Sequence, residues 1–536
     1  MMRRGWLSLL LVALWAAPAA LAQEAPPDPQ DLLDRLHELE REVERLRGAQ
    51  AAPPEERAPD AEEPPQEEFR FDPSYTPPQE EFRFDPDAAA KAKEARGGSW
   101  ADSTAPGWLS LELPWSTKLT VTGSIRARGE YRAPASYRIP GTFGRPATDD
   151  RGDGTDFALL RTRVELTLDV VEHLQAHVEI QDSRVWGDQV VGADVAELQL
   201  RQGYIAYDQA FGQPLTIWIG RWAVPNLGDQ RLIGVAEFNN VGRSWDGVLL
   251  EWRPTRCLKL TAFAANVREG LVFSTTGDEN DDFWFSGLYL SWSPIAAHTF
   301  EAYLFWRDLS DRVFSTERSA TRLGEREDYT FGGRAAGERC GWDYSGELMV
   351  QWGNQAGDSI RAFAGVARLG FTQPLSDQRE LGAHVEYAYA SGDSNPTDGR
   401  LQTFDPLVPA RFRHHGVMNL VAFSNIHDVE LGVRAVPCEN LTLHVEAHGF
   451  WLDKRKDAWF DPGRSVVRRD PSGASRRFLG SEVDAYATYE MLERLSFLAG
   501  YAHFFPGQYV RDSSQAGAGI AVHDQGWLFA QVELRF

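Results

Sequence analysis

Charged side chains recur at short spacing in four stretches of the chain, at residues 119–132, 158–170, 173–184 and 196–207. Residues two apart in an extended strand lie on the same face, so alternating charges collect on one side of a sheet. We expect nine of these side chains to point inward from neighbouring strands: Arg126, Arg128, Glu130, Arg161, Arg163, Glu165, Glu179, Asp182 and Arg201.

Arginine dominates the cations of the chain, with 49 Arg against 6 Lys. Its planar guanidinium presents a fork of donors that suits carboxylates. Facing Arg and Asp or Glu side chains can pair and so support a wall. They can also focus an electric field that attracts an anionic solute. The residue types alone leave both interpretations open.

The sequence lacks the common catalytic motifs, since it contains no HExxH, no P-loop and no GxSxG. Three cysteines, Cys257, Cys340 and Cys438, lie in no CxxC or His-spaced metal pattern. We therefore predict a protein that is not an enzyme and that uses no cofactor and no metal.

The first 115 residues divide into three segments. Residues 1–22 combine two arginines, an apolar stretch and a small-residue cleavage site, which predicts a secretory signal peptide. Residues 23–50 predict a short coiled coil that self-associates through residues 31–47, or alternatively a lone amphipathic helix. Residues 51–115 are a Pro- and Glu-rich linker with a duplicated PPQEEFRFDP, which we expect to be disordered. The heptad positions are Leu32, Leu36, Leu39, Val43 and Leu46.

The formal net charge of −23 argues against nucleic acid as a partner. After the predicted signal peptide no run of 18 apolar residues occurs, so the sequence predicts no spanning helix. The mean hydropathy of −0.40 fits a soluble protein, but it fits a transmembrane barrel equally well, because half of each strand faces water.

Beyond residue 116, segments of alternating polarity follow one another to the end of the chain. Their connections alternate between short turns and long loops, the long ones including 133–157, 223–244 and 308–324. This asymmetry is typical of outer-membrane barrels. We predict an all-β fold, a transmembrane antiparallel β-barrel over 116–536 with about 18 strands. The segments are 119–132, 158–170, 173–184, 196–207, 215–222, 245–253, 257–266, 283–292, 298–307, 325–334, 341–352, 360–371, 379–390, 424–436, 440–452, 478–489, 494–505 and 525–536.

The last segment shows the alternation most clearly. Leu528, Ala530, Val532 and Leu534 predict one apolar face, and Phe529 is the exception on the polar face. An aromatic final residue, Phe536, is typical of the assembly signal of outer-membrane barrels. We therefore expect the barrel-assembly machinery, outer-membrane lipid and lipopolysaccharide to be partners of the chain.

Several blocks of sequence resemble the bacterial alginate export family. The most distinctive are Gly228-Asp-Gln-Arg-Leu-Ile-Gly234 and Asn240-Val-Gly-Arg-Ser-Trp-Asp-Gly247, and the resemblance covers residues 115 to 536. It implies an 18-stranded barrel whose charged, arginine-bearing pore passes an anionic polysaccharide.

The same blocks have a physical interpretation. Gly228, Gly234, Gly242 and Gly247 permit positive φ in a long loop that folds inward. Charged neighbours would then brace this loop and constrict the pore: Arg221, Asp229, Arg231, Arg243 and Asp246.

The sequence thus favours an outer-membrane channel that passes an anionic or polar polysaccharide, with its N-terminal arm in the periplasm. A general or anion-selective porin for small solutes, trimeric through the heptads, is the first alternative. A barrel that anchors the acidic arm is the second.

Overall fold

The computed structural model describes residues 109–113, 117–133, 155–187, 196–223, 227–269, 283–376, 378–410, 412, 414–514 and 523–536. The predicted signal peptide and coiled coil lie outside these residues, and so does the predicted linker except for 109–113.

Strands dominate the described part of the chain, with one α-helix, α1 (Gln508–Ser514), and one 3-10 turn (Ala210–Gly212). None of its helices has the length and apolar composition needed to cross a bilayer. The strands are β1 Leu109–Leu113, β2 Thr117–Ala133, β3 Thr155–Val171, β4 Leu174–Gly187, β5 Ala196–Tyr207, β6 Leu215–Trp222, β7 Arg243–Thr255, β8 Leu258–Glu269, β9 Trp284–Ile295, β10 His298–Thr316, β11 Ser319–Arg339, β12 Trp342–Gln355, β13 Asp358–Ser376, β14 Arg379–Ala390, β15 Arg400–Leu401, β16 Ile426–Cys438, β17 Leu441–Leu452, β18 Ala458–Phe460, β19 Val466–Arg469, β20 Phe478–Leu492, β21 Leu495–Pro506 and β22 Gln525–Arg535.

Eighteen of these strands close into one antiparallel barrel, which confirms the predicted fold. Closure occurs where β2 pairs with β22, with Ser124 opposite Arg535 and Ala133 opposite Gly526. Each predicted segment overlaps one barrel strand. The short strand β1, at the end of the predicted linker, pairs with the start of β2.

The walls of the barrel alternate in polarity as the sequence predicts. On β22, Leu528 and Leu534 are exposed on the outside, whereas Gln531 and Glu533 are buried on the inside. Pairs of aromatic rings on the outer face mark both ends of the apolar band, with a tilted pair at Trp292–Phe300 and a stacked pair at Trp306–Tyr329. Such girdles are found where a barrel meets the two membrane interfaces.

The prediction of a loop at residues 308–324 is wrong. Strands β10 and β11 continue past it and join through a turn at Glu317 and Arg318, with a register shift between Leu309 and Phe314. Strands that extend beyond the apolar band have water on both faces, so their sequence needs no alternation. The charged residues there show no strand pattern in the sequence, although backbone hydrogen bonds pair the two strands as a hairpin.

Two loop segments fill the interior of the barrel. Segment A comprises residues 227–242, before β7, and segment B comprises the described residues of 402–425, before β16. They run side by side as a parallel bridge between Ile233 and Val408. Leu232, Phe404 and Phe423 join the buried apolar cluster that lines the wall around them. The lumen is therefore packed along this part rather than open.

The glycines of segment A serve two purposes. Gly228 and Gly242 have the predicted positive φ, at 58° and 79°. Gly234 and Gly247 do not. A Cβ on Gly234 would lie 2.5 Å from the backbone nitrogen of Ala410, so this glycine permits the close approach of segment B instead.

Candidate functional site in the barrel lumen

The inward arginines of β2 and β3 hold the backbone of segment A. Arg126 donates from Nη1 to the carbonyl of Glu237 and from Nη2 to that of Asn239, both at 2.8 Å. Arg128 reaches the carbonyl of Phe238 at 2.7 Å, and Arg161 reaches that of Glu237 at 3.0 Å. These guanidiniums satisfy carbonyls that have no strand partner, which is the requirement for placing a loop inside a barrel.

Glu237 is the counter-ion of three arginines at once. Its Oε2 lies 2.7 Å from Arg163 and 3.2 Å from Arg161, and its Oε1 accepts from Arg201. Burial raises the pKa of this carboxyl, but the positive charges of Arg163, Arg201 and Arg161 outweigh it, so the pKa lies well below its usual value. Glu237 therefore stays ionised in neutral and mildly acidic solution.

Phe238 lies at the centre of the contact between segment A and the barrel wall. The Arg128 guanidinium lies 4.0 Å from the centre of its ring, and the ring of Phe412 in segment B packs against it at a tilt, with 4.7 Å between the ring centroids. Trp527 and Phe529 of β22 meet it edge-on. Phe529 breaks the polar pattern of its strand because it forms part of this internal aromatic contact.

The remaining predicted wall residues divide between two faces. Glu130 pairs with Arg128 at 2.8 Å, and Glu179 pairs with Arg201 at 2.7 Å. Glu165 also lies on the inner face, where its Oε2 is 3.5 Å from the hydroxyl of Thr122.

The inward position predicted for Asp182 is wrong. On β4 the buried residues are Glu179, Gln181 and Ser183, so Asp182 faces outward, with 27 % of its side chain exposed and a salt bridge to Arg184 at 2.7 Å. Its spacing of three from Glu179 places the two residues on opposite faces.

Of the residues predicted to brace segment A, some hold it and others lie on the outer face. Arg231 bonds Glu386 on β14 at 2.8 Å and lies 3.2 Å from Asp229, and Arg243 donates to the carbonyls of Gly234 and Val408 at 2.9 and 2.8 Å. Arg243 thus ties segments A and B together. Burial lowers the pKa of Arg231, but Glu386 and Asp229 reverse this effect and raise it.

The bracing role predicted for Arg221 and Asp246 is wrong. They stand opposite each other on β6 and β7 and pair at 2.6 Å on the outer face, next to the inward-facing Trp222 and Trp245. Both lie in segments that the sequence predicts as strands, 215–222 and 245–253, and the alternation along each strand turns their side chains away from the lumen.

Sequence reasoning missed a second set of charged pairs. Near the rim that carries the short turns, three inward arginines each bind a carboxylate on a neighbouring strand. Their side chains are less deeply buried than those that hold Glu237. The alternation on β11, β13 and β16 could have identified them, because each lies on the polar face of its strand. The pairs are Arg334–Glu301 at 2.8 Å, Arg368–Asp343 at 2.6 Å and Arg434–Glu380 at 2.7 Å.

At the opposite end, a carboxylate of segment B is locked to the wall. Asp405 lies 3.0 Å from Arg307 and 3.1 Å from Arg326, while Arg307 also pairs with Asp328 at 2.9 Å. Burial raises the pKa of Asp405, but the charges of Arg307, Arg326 and Arg464 together outweigh it, so the pKa lies well below its usual value. Segment B is therefore anchored by ionised groups as segment A is.

A closed antiparallel barrel with an apolar outside and a charged inside is the architecture of proteins that span the outer membrane of bacteria. The sequence profile of the alginate export family matches residues 118–522, and the chain belongs to this family. The family and the barrel together indicate an outer-membrane channel.

Solved structures with a similar fold are porin-like barrels of low identity. OccK11 (OpdR) of Pseudomonas aeruginosa is 13% identical, with a TM-score of 0.46, covering 78% of this chain and 96% of its own. OccK5 (OpdH) of the same organism is 13% identical, with a TM-score of 0.47, covering 78% and 98%. OccAB4 of Acinetobacter baumannii is 10% identical, with a TM-score of 0.46, covering 78% and 98%. No curated protein sequence matches the chain.

Proposed function

We propose that the protein is an outer-membrane channel through which an anionic or polar polysaccharide, alginate-like in its carboxylates, leaves the cell. Family membership supports the polysaccharide, and the charged inner wall supports a chain of carboxylates. The arginine clamp, formed by Arg126, Arg128 and Arg161 on the backbone of segment A, defines the narrow part of this channel.

The paired arginines near the short-turn rim carry the proposal. Arg334, Arg368 and Arg434 lie on the inner face, and each already holds a carboxylate with a single guanidinium. Guanidiniums bind carboxylates through a planar fork of donors, so a carboxylate of the solute can exchange with the protein's own carboxylate at each of these arginines. Weak binding at several such places lets a chain advance by exchange from one to the next.

The clamp residues have a different place in the proposal. Arg126, Arg128 and Arg161 are buried and engaged with segment A, so they contact a solute only when that segment moves. In the proposed mechanism they set the width of the path, and the arginines of the rim select the charge.

A diffusion pore for small solutes is the second candidate. The packed contact between segments A and B favours it, because a narrow lumen passes small molecules without rearrangement whereas a polymer requires a wider path. The two functions differ in whether charge or size governs entry.

Current measurements in planar lipid bilayers distinguish the polysaccharide channel from the diffusion pore. Added oligouronate should block the current of the wild-type channel, and a neutral oligoglucan of equal length should not. Replacing Arg334, Arg368 and Arg434 together by Ala should weaken the block about tenfold or more. Arg361→Ala is the matched control, because Arg361 is exposed on the outer face of β13. Equal block by both oligosaccharides, or a block that survives the triple variant, would overturn the proposal.

The remaining partners stay predictions. These are outer-membrane lipid and lipopolysaccharide on the outer face, the barrel-assembly machinery at Phe536, and self-association through residues 31–47. The periplasmic position of the N-terminal arm is also a prediction.

A further inference from the structure

A row of titratable side chains crosses three neighbouring strands on the inner face, apart from the arginine clamp. Glu430 on β16 stands directly opposite His448 on β17, which stands opposite Glu482 on β20. Two residues away along the same strands, and on the same face, Glu446 stands opposite Asp484. Directly opposed residues have Cβ atoms about 5 Å apart, so these five side chains share one small volume.

His448 is oriented toward this volume by a carboxylate outside it. Its Nδ1 lies 3.1 and 3.3 Å from the two oxygens of Asp428, and its side chain is buried. With Nδ1 donating its proton to Asp428, a neutral His448 would present the lone pair of its other ring nitrogen, Nε2, to a metal ion. Histidines that bind metals are commonly held in this way by a carboxylate on their second nitrogen.

The spacing of the donor atoms suits one ion. One ligand atom each from Glu430, Glu446 and His448 lies within 4.8 Å of the other two. Ligands about 2.0–2.2 Å from a Zn²⁺ ion are themselves within this distance of one another.

Two neighbouring carboxyl groups add negative charge to this volume. Glu482 Oε2 and Asp484 Oδ1 are buried, and within the described residues no amide, hydroxyl or cationic side chain donates a hydrogen bond to either, so these two atoms have only the other carboxyl group as a polar neighbour. Their other oxygens accept the backbone N–H groups of Met418 and Val417 in segment B. Uncompensated buried carboxylates are costly unless a proton or a metal ion neutralises them.

The contacts of Glu430 and Glu446 do not supply that charge from arginine or lysine. In the described part of the chain, Glu430 bonds His384 at 2.7 Å and Glu446 bonds the hydroxyl of Tyr486 at 2.9 Å. We propose that Glu430, Glu446 and His448 bind a divalent metal ion of the Zn²⁺ type, with Asp428 positioning the imidazole and Glu482 and Asp484 completing the negative surroundings. One imidazole and two carboxylates form a donor set for such an ion, with water in the remaining position.

The ion would also stabilise segment B. Its positive charge would attract the carboxyl groups of Glu482 and Asp484, which accept the backbone N–H groups of Met418 and Val417. This inference does not depend on which solute crosses the barrel, because it concerns the wall beneath segment B.

Equilibrium dialysis of the full chain in detergent, after treatment with a chelator, tests the site with Zn²⁺ as the probe. Wild type should bind one high-affinity ion, and His448→Asn and Glu446→Gln should each weaken its binding about tenfold or more. His177→Asn is the matched control, since His177 is another inward histidine but contacts Thr167 and Tyr204 instead. Co²⁺ bound to the wild type should show visible d–d absorption that the His448→Asn variant lacks.

Heat-modifiable migration on gels confirms that each variant is a folded barrel before binding is compared. Binding that persists unchanged in both cluster variants would place the ion elsewhere and overturn the proposal. Absence of Zn²⁺ binding by the folded wild type would overturn it as well. Neither outcome bears on the block by oligouronate, so the two proposals fail separately.

Discussion

Glu237 shows how one side chain can decide the state of the lumen. Three arginines from β3 and β5 converge on its carboxylate, while two of the adjacent carbonyls bind Arg126. Like charges on Arg161, Arg163 and Arg201 repel one another unless an anion lies between them. Glu237 supplies that anion from the loop, so it joins segment A to the wall.

Glu237→Gln should release segment A from the wall. The amide keeps the shape but removes the carboxylate that the three guanidiniums share, while Glu179 and Glu533 remain beside them. We expect the free energy of local opening to fall by about 1–3 kcal/mol. Hydrogen exchange at the amides of residues 227–242 measures this. Glu172→Gln is the control, because that side chain is 88 % exposed on a short turn. Unchanged exchange in Glu237→Gln would contradict the role given to the carboxylate.

The pH dependence of the same contact follows from the lowered pKa of Glu237. A carboxyl with a depressed pKa stabilises the folded state above its unfolded pKa, and this contribution is lost as the pH falls through the folded value. Protection of segment A, corrected for intrinsic exchange, should therefore stay constant from pH 8 to about 5 and decline only in more acidic solution. A loss of protection near neutral pH would point to histidine instead.

At the scale of elements, the barrel strands carry the architecture and segments A and B carry the constriction. The two segments contact each other through the Ile233–Val408 bridge and through the carbonyls held by Arg243. They contact the wall through Arg126 and Asp405. Loops of this length can be buried only because side chains satisfy their backbone groups.

Replacing residues 227–242 by a short Gly-Ser linker should raise single-channel conductance several-fold, because segment A fills space that ions would otherwise use. The barrel strands should still pair, since none of them lies in the deleted segment. Shortening the β10–β11 hairpin beyond Leu309 is the control, because it removes a paired extension of similar size at one end of the barrel. A deletion that leaves the conductance at the wild-type level would show that segment A is not the narrow part.

At the scale of the whole molecule, closure depends on the meeting of the two terminal strands. The backbone of Phe536 exchanges both hydrogen bonds with Gly123, at 2.8 and 2.9 Å, which extends the β2–β22 ladder by one pair. A Cβ on Gly123 would lie 2.6 Å from the Phe536 ring, so the glycine leaves the space that the ring occupies.

Phe536→Ala should reduce the amount of folded barrel in cell membranes while leaving refolding in detergent nearly intact. This difference is expected if the aromatic ring acts as a signal to the assembly machinery, since the backbone pair with Gly123 does not need the ring. Heat-modifiable migration measures the folded fraction in both settings. Phe505→Ala is the control, as another aromatic residue exposed on the outer face. An equal loss in detergent would assign the ring a purely structural role.

Alternation in the sequence determined the number of strands, their order and which face meets lipid. The pattern has a period of two and depends only on neighbouring residues, so it can be read without a structure. The wrong predictions for Asp182 and for Arg221 have the same origin. Asp182 and Arg221 lie one position away from the inward set, and a shift of one residue exchanges the faces.

Only the tertiary structure decided what the inward charges touch. Arg126 meets the carbonyl of Glu237, far along the chain, and His448 meets Glu430 and Glu482 through the register of two strand pairs. A local period carries no information on register or on the path of a loop across a lumen. Those depend on closure of the barrel, which brings together residues that the sequence keeps apart.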